Sequence, residues 1–321
     1  MPDPSTTPTD LADLEAMAQQ LESSGHYRLL RRFTGNSLAT AADPDALRQG
    51  VYLDVETTGK DAGRDEIIEL AMVPFHYDVE GRLCALGKPF VQLREPSVPI
   101  SHEITQITGI TNDMVAGKVI DPDQVAAFIE PAVIVTAHNA QFDRRFAERL
   151  CQAFEHKGWA CSMSQVDWKG EGFEGTKLSY LASQCGFFFE GHRAENDCLA
   201  GLEILARPLA SGRTALAHML EAARKPSWRI WAERSPFDFK EKLKARGYKW
   251  NGEEGPAPKA WYIDIDDDKR DAELVYLQQE IYGGEVHLAT RRITAFERFS
   301  ERAGSWVEQS RSHEATLTVS R

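Results

Sequence analysis

The chain has 321 residues, with 49 Asp and Glu against 37 Lys and Arg and a formal net charge of -12 at pH 7. That length supports one large core and a smaller one, so two folded units with appendages are expected. Five cysteines without C-x-x-C spacing argue against a disulfide frame or a zinc site, and the absence of a long apolar run or a signal-peptide pattern predicts a cytoplasmic protein with no membrane anchor.

Residues 1–49 read as a helical extension. Leu11, Leu14, Ala18 and Leu21 form a heptad-like stripe behind Asp10, a helix cap. Two heptads are short for an autonomous coiled coil, so packing on the core is the expectation. Val51-Tyr52-Leu53-Asp54-Val55 reads as a buried strand stopped by Thr57-Thr58-Gly59. Residues 66–77 and 83–93 read as two strands joined by a turn near Glu80-Gly81. Ala132 to Ala137 is another short apolar run suited to a strand, and Phe142, Phe146 and Leu150 then recur at helical spacing from Asn139. The segment after His192 becomes helical through Cys198 to Leu205.

Three strings carry chemistry: Asp54-Val55-Glu56-Thr57-Thr58-Gly59, His138-Asn139-Ala140-Gln141-Phe142-Asp143, and His192-Arg193-Ala194-Glu195-Asn196-Asp197. Residues two apart on a strand project from one face, so Asp54 and Glu56 leave the strand end side by side. Cutting a phosphodiester at neutral pH needs an activated water and a shield for charge on the phosphate, which two divalent cations can supply. Mg²⁺ and Mn²⁺ prefer oxygen ligands and keep several waters, so a few carboxylates can hold them. Histidine exchanges protons near physiological pH, and His192 precedes the helix that carries Asp197. Each string alone has a plainer explanation. The first could be two solvated carboxylates at a turn, the second a helix cap with a first-turn acid, and His192 a surface histidine. Their joint order makes coincidence a poor account.

In these motifs residues 50–210 resemble the DEDDh 3′-to-5′ exonucleases, typified by the epsilon subunit of bacterial DNA polymerase III. The resemblance implies an α/β fold, a ribonuclease H-like mixed β-sheet flanked by helices, with a small α+β C-terminal domain added here. It implies that Asp54, Glu56, Asp143 and Asp197 hold two Mg²⁺ or Mn²⁺ ions and that His192 is the general base. Thr57 and Thr58 would approach the terminal 3′-hydroxyl, Phe142 would line the pocket, Glu103 would lie near the terminal sugar or base, and Ile110 would pack against the nucleobase. Many relatives have histidine where this chain has Thr108. The implied activity is release of nucleoside 5′-monophosphates from a single-stranded 3′ end in DNA replication or repair, possible partners being a DNA polymerase or repair complex. An exoribonuclease, or a non-catalytic subunit associated with a polymerase or DNA, is the alternative.

Negative charge argues against a nucleic-acid partner only when taken over the whole chain. From residue 211 onward 19 Lys and Arg face 18 Asp and Glu, so the excess acid lies in residues 1–210, where bound cations would reverse the local potential. Residues 211–300 read as a small basic and aromatic module. Between Arg224 and Lys249, 9 Lys and Arg stand against 3 Asp and Glu, interleaved with Trp228, Trp231, Phe237, Phe239 and Tyr248. A helix through Phe239, Leu243 and Arg246, a strand pair around a Gly/Pro loop (Tyr248 to Trp250 with Ala260 to Asp264), and a helix over residues 270–282 are expected. This pattern suits single-strand binding; equally, the aromatics could form a small core and the lysines a solvated face. Residues 301–321 read as a flexible tail.

Overall fold

The computed structural model describes residues 10–252 and 257–304. In chain order, α1 (Leu11–Ser23) and β1 (Arg31–Arg32) precede β2 (Arg48–Thr57), β3 (Ile67–Tyr77), β4 (Leu83–Leu86) and β5 (Phe90–Leu93). Then come α2 (His102–Thr108), α3 (Asn112–Val115), α4 (Pro122–Ile129), β6 (Ile134–Ala137), α5 (Ala140–Leu150), β7 (Gly158–Cys161), α6 (Leu178–Gln184), β8 (Phe187–Phe188), α7 (Ala194–Ala206) and α8 (Ala215–Arg224). A second unit holds β9 (Ser227–Ala232), α9 (Lys240–Ala245), β10 (Lys249–Trp250), β11 (Trp261–Asp266), α10 (Arg270–Leu277) and β12 (Thr290–Ile293).

The main sheet has the order β4-β3-β2-β6-β7, with β5 also paired to β3. Strand β2 is antiparallel to β3 and parallel to β6, which is parallel to β7. Alternation along β2 assigns its faces. Val51, Leu53 and Val55 join the core under α4 and α5, whereas Tyr52 joins the core under α6, α7 and α8. Asp54 and Glu56 therefore lie on the α7 side. Strand β3 is almost wholly buried because helices cover both faces, which explains its unbroken apolar run. The expected second hairpin arm over 83–93 is divided into β4 and β5, since Gly87-Lys88-Pro89 interrupts it and proline offers no ladder N–H.

The N-terminal helix forms at the expected place, with Asp10 accepting from the Ala12 N–H, but the expected packing is corrected: none of its described side chains is buried, and Leu11 is 83% exposed. Its apolar stripe is too narrow to outweigh the acidic residues around it. What docks is the segment after it. β1 pairs in parallel with β8, the Asn36 amide donates to the Leu199 carbonyl, and Ser37 donates from both its N–H and hydroxyl to the buried Glu203. Arg31 ties the helix to this segment through Glu15 and Glu22.

The second unit is an antiparallel sheet, β10-β11-β9-β12, covered by α9 and α10. Its central strand β9 lies inside the run read only as basic and aromatic. Trp231 and Tyr248 are buried there, and Glu273 accepts from Arg246 and from the Tyr248 hydroxyl. After β12 the chain returns to the first unit as a strap. Arg144, fully buried on α5, donates to the carbonyls of Ala295, Phe296 and Arg298 and pairs with Glu148, while Arg302 also pairs with Glu148. Residues 301–304, expected to belong to a flexible tail, are instead ordered: Glu301–Gly304 form a short 3-10 helix with Ala303 buried, and the rest of that expectation, residues 305–321, lies outside the described residues. All five cysteines are free thiols. Among the described residues no helix is long and apolar enough to cross a membrane.

Candidate active site

Topology brings the three strings together. Strands β2 and β6 are parallel, so the end of β2 and the start of α5 meet at the carboxyl edge of the sheet, where ligands of α/β sheets collect. Helix α7 closes the third side. A Cβ at Gly201 would run into the Tyr52 hydroxyl, so glycine permits the close approach that carries Asp197, one turn earlier, to β2.

Carboxylate oxygens of Asp54, Glu56 and Asp197 all lie within 4.8 Å of one another. Asp143, 3% exposed, stands outside that tight group yet exerts the largest charge effect on Asp54. Enclosure raises the Asp54 carboxyl well above its ordinary range, reinforced by Asp143, Asp197 and Glu56. Enclosure, then Asp197 and Glu69, pushes Glu56 to about 8. Asp143 is pushed to about 7, chiefly by burial and against a hydrogen bond from the Val55 backbone. Asp197 reaches about 6, burial being partly offset by His192 and by the His192 and Arg193 backbone. Such mutual repulsion is what bound cations relieve, and the all-oxygen donor set suits a hard divalent ion. The residues fit a metal.

His192 is exposed and adopts φ 63, the left-handed region that non-glycine residues seldom occupy. His138, from the second string, has a different part. Its Nε2–H donates to the Thr176 carbonyl at 2.6 Å, which leaves Nδ1 to accept from Ser162, and Ser162 in turn bonds Tyr52. Burial pushes its imidazole down to about 4, so it is a neutral strut.

The pocket residues divide. Thr57 is buried, and the Thr58 hydroxyl accepts from the Glu66 N–H, so these side chains are engaged in the turn while their backbone flanks the carboxylates. Phe142 is half-buried against Phe146 at 4.9 Å, and Glu103 is exposed on α2. Ile110 stands differently from the expectation of a base contact: it is 0% exposed and packs with Ile68, Ile100 and Val115. Gly109, at φ 71, ends α2 and turns Ile110 inward, leaving Ile107 of the same helix 47% exposed. Thr108 is spent internally, donating to the Ile104 carbonyl and accepting from the Ile110 N–H. Glu69, a buried carboxylate opposite Glu56 on β3, lies outside all three motifs. Its place in an apolar strand was the available signal. A groove of about 1480 Å³ between the two units lies along Gln141, Arg145 and Arg149 of α5 and is lined by none of the four carboxylates.

The mixed sheet and the acidic cluster at its carboxyl edge define a ribonuclease H-like nuclease with a cation site. A family model described as Exonuclease matches residues 51–205. The DNA polymerase III subunit epsilon of Treponema pallidum is 33% identical over 184 residues, covering 54% of this chain and 82% of that protein. That of Aquifex aeolicus is 29% identical, covering 50% and 79%. DNA polymerase III PolC-type of Latilactobacillus sakei is 39% identical over 98 residues, which span 6% of its length. Among solved structures, Exonuclease X in complex with 5′ overhanging duplex DNA aligns with TM-score 0.40 and 26% identity over 54% of this chain and 98% of that one. E. coli Exonuclease I aligns with TM-score 0.45 and 16% identity over 68% and 63%. The chain belongs to the DEDDh exonuclease family, the one that contains the epsilon subunits of DNA polymerase III.

Proposed function

We propose that this exonuclease acts on DNA, releasing nucleoside 5′-monophosphates from a single-stranded 3′ end. The observation that carries the reading is the clustering of Asp54, Glu56 and Asp197 within 4.8 Å, with Asp143 close enough to perturb Asp54. Asp54, Glu56 and Asp197 would hold one divalent ion directly, and Asp143 would contribute to a second, directly or through water. When bound, Mg²⁺ or Mn²⁺ would neutralise charge on the phosphate and ease formation of the attacking hydroxide. An imidazole nitrogen of His192 takes the proton of the attacking water, and its exposed position lets it pass that proton to solvent. The backbone at Thr57 and Thr58 faces the terminal 3′-hydroxyl, Phe142 flanks the last nucleotide, and Glu103 lies near its sugar. Ile107 takes the apolar contact first expected of Ile110.

Matched 5′-labelled DNA and RNA oligomers with Mg²⁺ test the substrate. Shortening of DNA from its 3′ end supports the proposal; cleavage confined to RNA would replace it with an exoribonuclease. A non-catalytic role predicts that Asp54→Ala with Glu56→Ala changes nothing. We further propose that the C-terminal unit aids single-strand binding, supported by Phe237, 74% exposed beneath Lys240, and Trp250, 56% exposed. Association with a polymerase is proposed from the relatives, and a pull-down with a polymerase catalytic subunit tests it.

A further inference from the structure

We infer that Glu69 is a positioning residue for His192, acting through Arg193 and the first turn of α7. The inference rests on the proposed role of His192 as proton acceptor. Glu69 is 1% exposed and sits on β3 directly opposite Glu56. A carboxylate so enclosed persists only if its oxygens are fully engaged. One oxygen accepts from Arg193 Nη2 at 2.8 Å, the other from the Ala194 N–H at 2.9 Å, and Arg193 Nε is 3.3 Å from both. Glu69 thus caps α7 from another strand, at a helix end whose own cap residue, Arg193, supplies no side-chain bond.

This clamp has a direct bearing on the proton acceptor. His192 immediately precedes the clamped pair and holds a left-handed backbone that a non-glycine residue keeps only where its surroundings impose it. On its C-terminal side Glu69 fixes residues 193 and 194; on its N-terminal side the Asn196 amide donates to the Glu190 carbonyl. The Arg193 N–H also donates to Asp197 at 3.2 Å, which joins the histidine's position to the carboxylate cluster. The cation of Arg193 is paired with Glu69 at 2.8 Å and acts on Glu56 only through its charge, so no ion pair ties it to Asp54 or Glu56 among the described residues. Release of the clamp would let His192 relax toward ordinary backbone angles and swing its ring away.

Glu69→Gln keeps an acceptor for the Ala194 N–H but loses the charge that grips Arg193. On single-stranded DNA at saturating Mg²⁺ it should lower kcat about 10-fold or more while KM stays put. In a His192→Ala background the same change should have almost no further effect, because a positioning residue has nothing left to position. Equal losses in both backgrounds would overturn the inference and make Glu69 a fold or metal-site residue. A measurement independent of turnover is the ring ¹³Cε1–¹H NMR signal of His192, assigned by its loss in His192→Ala. It should move in Glu69→Gln while the other histidine signals hold, and an unmoved signal would overturn the inference. If the unmutated chain releases no nucleotide, the proposed function fails, and the NMR comparison still decides whether the clamp sets the ring.

Discussion

The two units handle charge in opposite ways. In the C-terminal unit the enclosed charges are closed on themselves: Glu273 is held by Arg246 and Tyr248, and Arg229 by both oxygens of Asp264. At the end of β2, four carboxylates face one another, and Arg193, whose charge reaches Glu56, is ion-paired with Glu69. Burial against like charge costs stability, and a fold keeps such a site only where something outside the chain completes it. Structural charge therefore appears as pairs, and charge meant for a ligand as an incomplete set.

The sharpest way to break this contrast is to remove the repulsion. Asp54→Asn with Glu56→Gln should lower turnover by about 1,000-fold or more, since several kcal/mol of charge stabilisation are lost, while raising the metal-free thermal midpoint. A variant both inactive and less stable would mean that the carboxylates support the fold. Glu273→Ala should do the reverse in the other unit. It should destabilise by about 2 kcal/mol in chemical denaturation by leaving the Tyr248 hydroxyl unsatisfied, with turnover per folded molecule unchanged.

A third test uses pH. Glu56, Asp143 and Asp197 have folded-state values of about 8, 7 and 6, above those of free carboxylates. The folded state then binds more protons than the unfolded one between about pH 4 and 8, so the favourable contribution of these groups is full below about pH 4 and is lost progressively as pH rises from there through their folded values of about 6 to 8. In EDTA the thermal midpoint should fall across that window, and saturating Mg²⁺ should flatten the fall. A metal-free profile unchanged from pH 5 to 9 would contradict the account. The smallest effect is expected from Trp250→Ala, a few-fold loss of single-strand affinity with little change in stability. This substitution is a better probe than truncation from residue 224, which would strip the strap carbonyls from buried Arg144 and destabilise α5, the helix that carries Asp143.

Much of the site was legible because strand periodicity and local spacing govern it. Asp54 and Glu56 share a face two residues apart, Asp143 lies in the first turn of a helix opened at Asn139, and Asp197 lies near the start of α7. What escaped depends on partners far away in sequence. Glu69 meets Arg193 across 124 residues, and Arg144 meets the strap across about 150. Strand β9 escaped for another reason: its buried Ile230, Trp231 and Ala232 follow the half-buried Trp228 and Arg229, which engage Arg270 and Asp264, so the run shows no two-residue alternation and its composition suggested a binding run where the chain forms a central strand. The inward turn of Ile110 depended on one left-handed glycine after a helix of only seven residues.

The central claim is that an incomplete set of carboxylates awaits metal and a DNA 3′ end. Its most direct test is a 5′-labelled single-stranded DNA oligomer incubated with the full chain in Mg²⁺, beside the same reaction in EDTA and with Asp54→Asn. The account predicts a ladder shortening from the 3′ end with release of nucleoside 5′-monophosphates, abolished in both controls. An unshortened oligomer with the unmutated chain, or an equal ladder with Asp54→Asn, would contradict it.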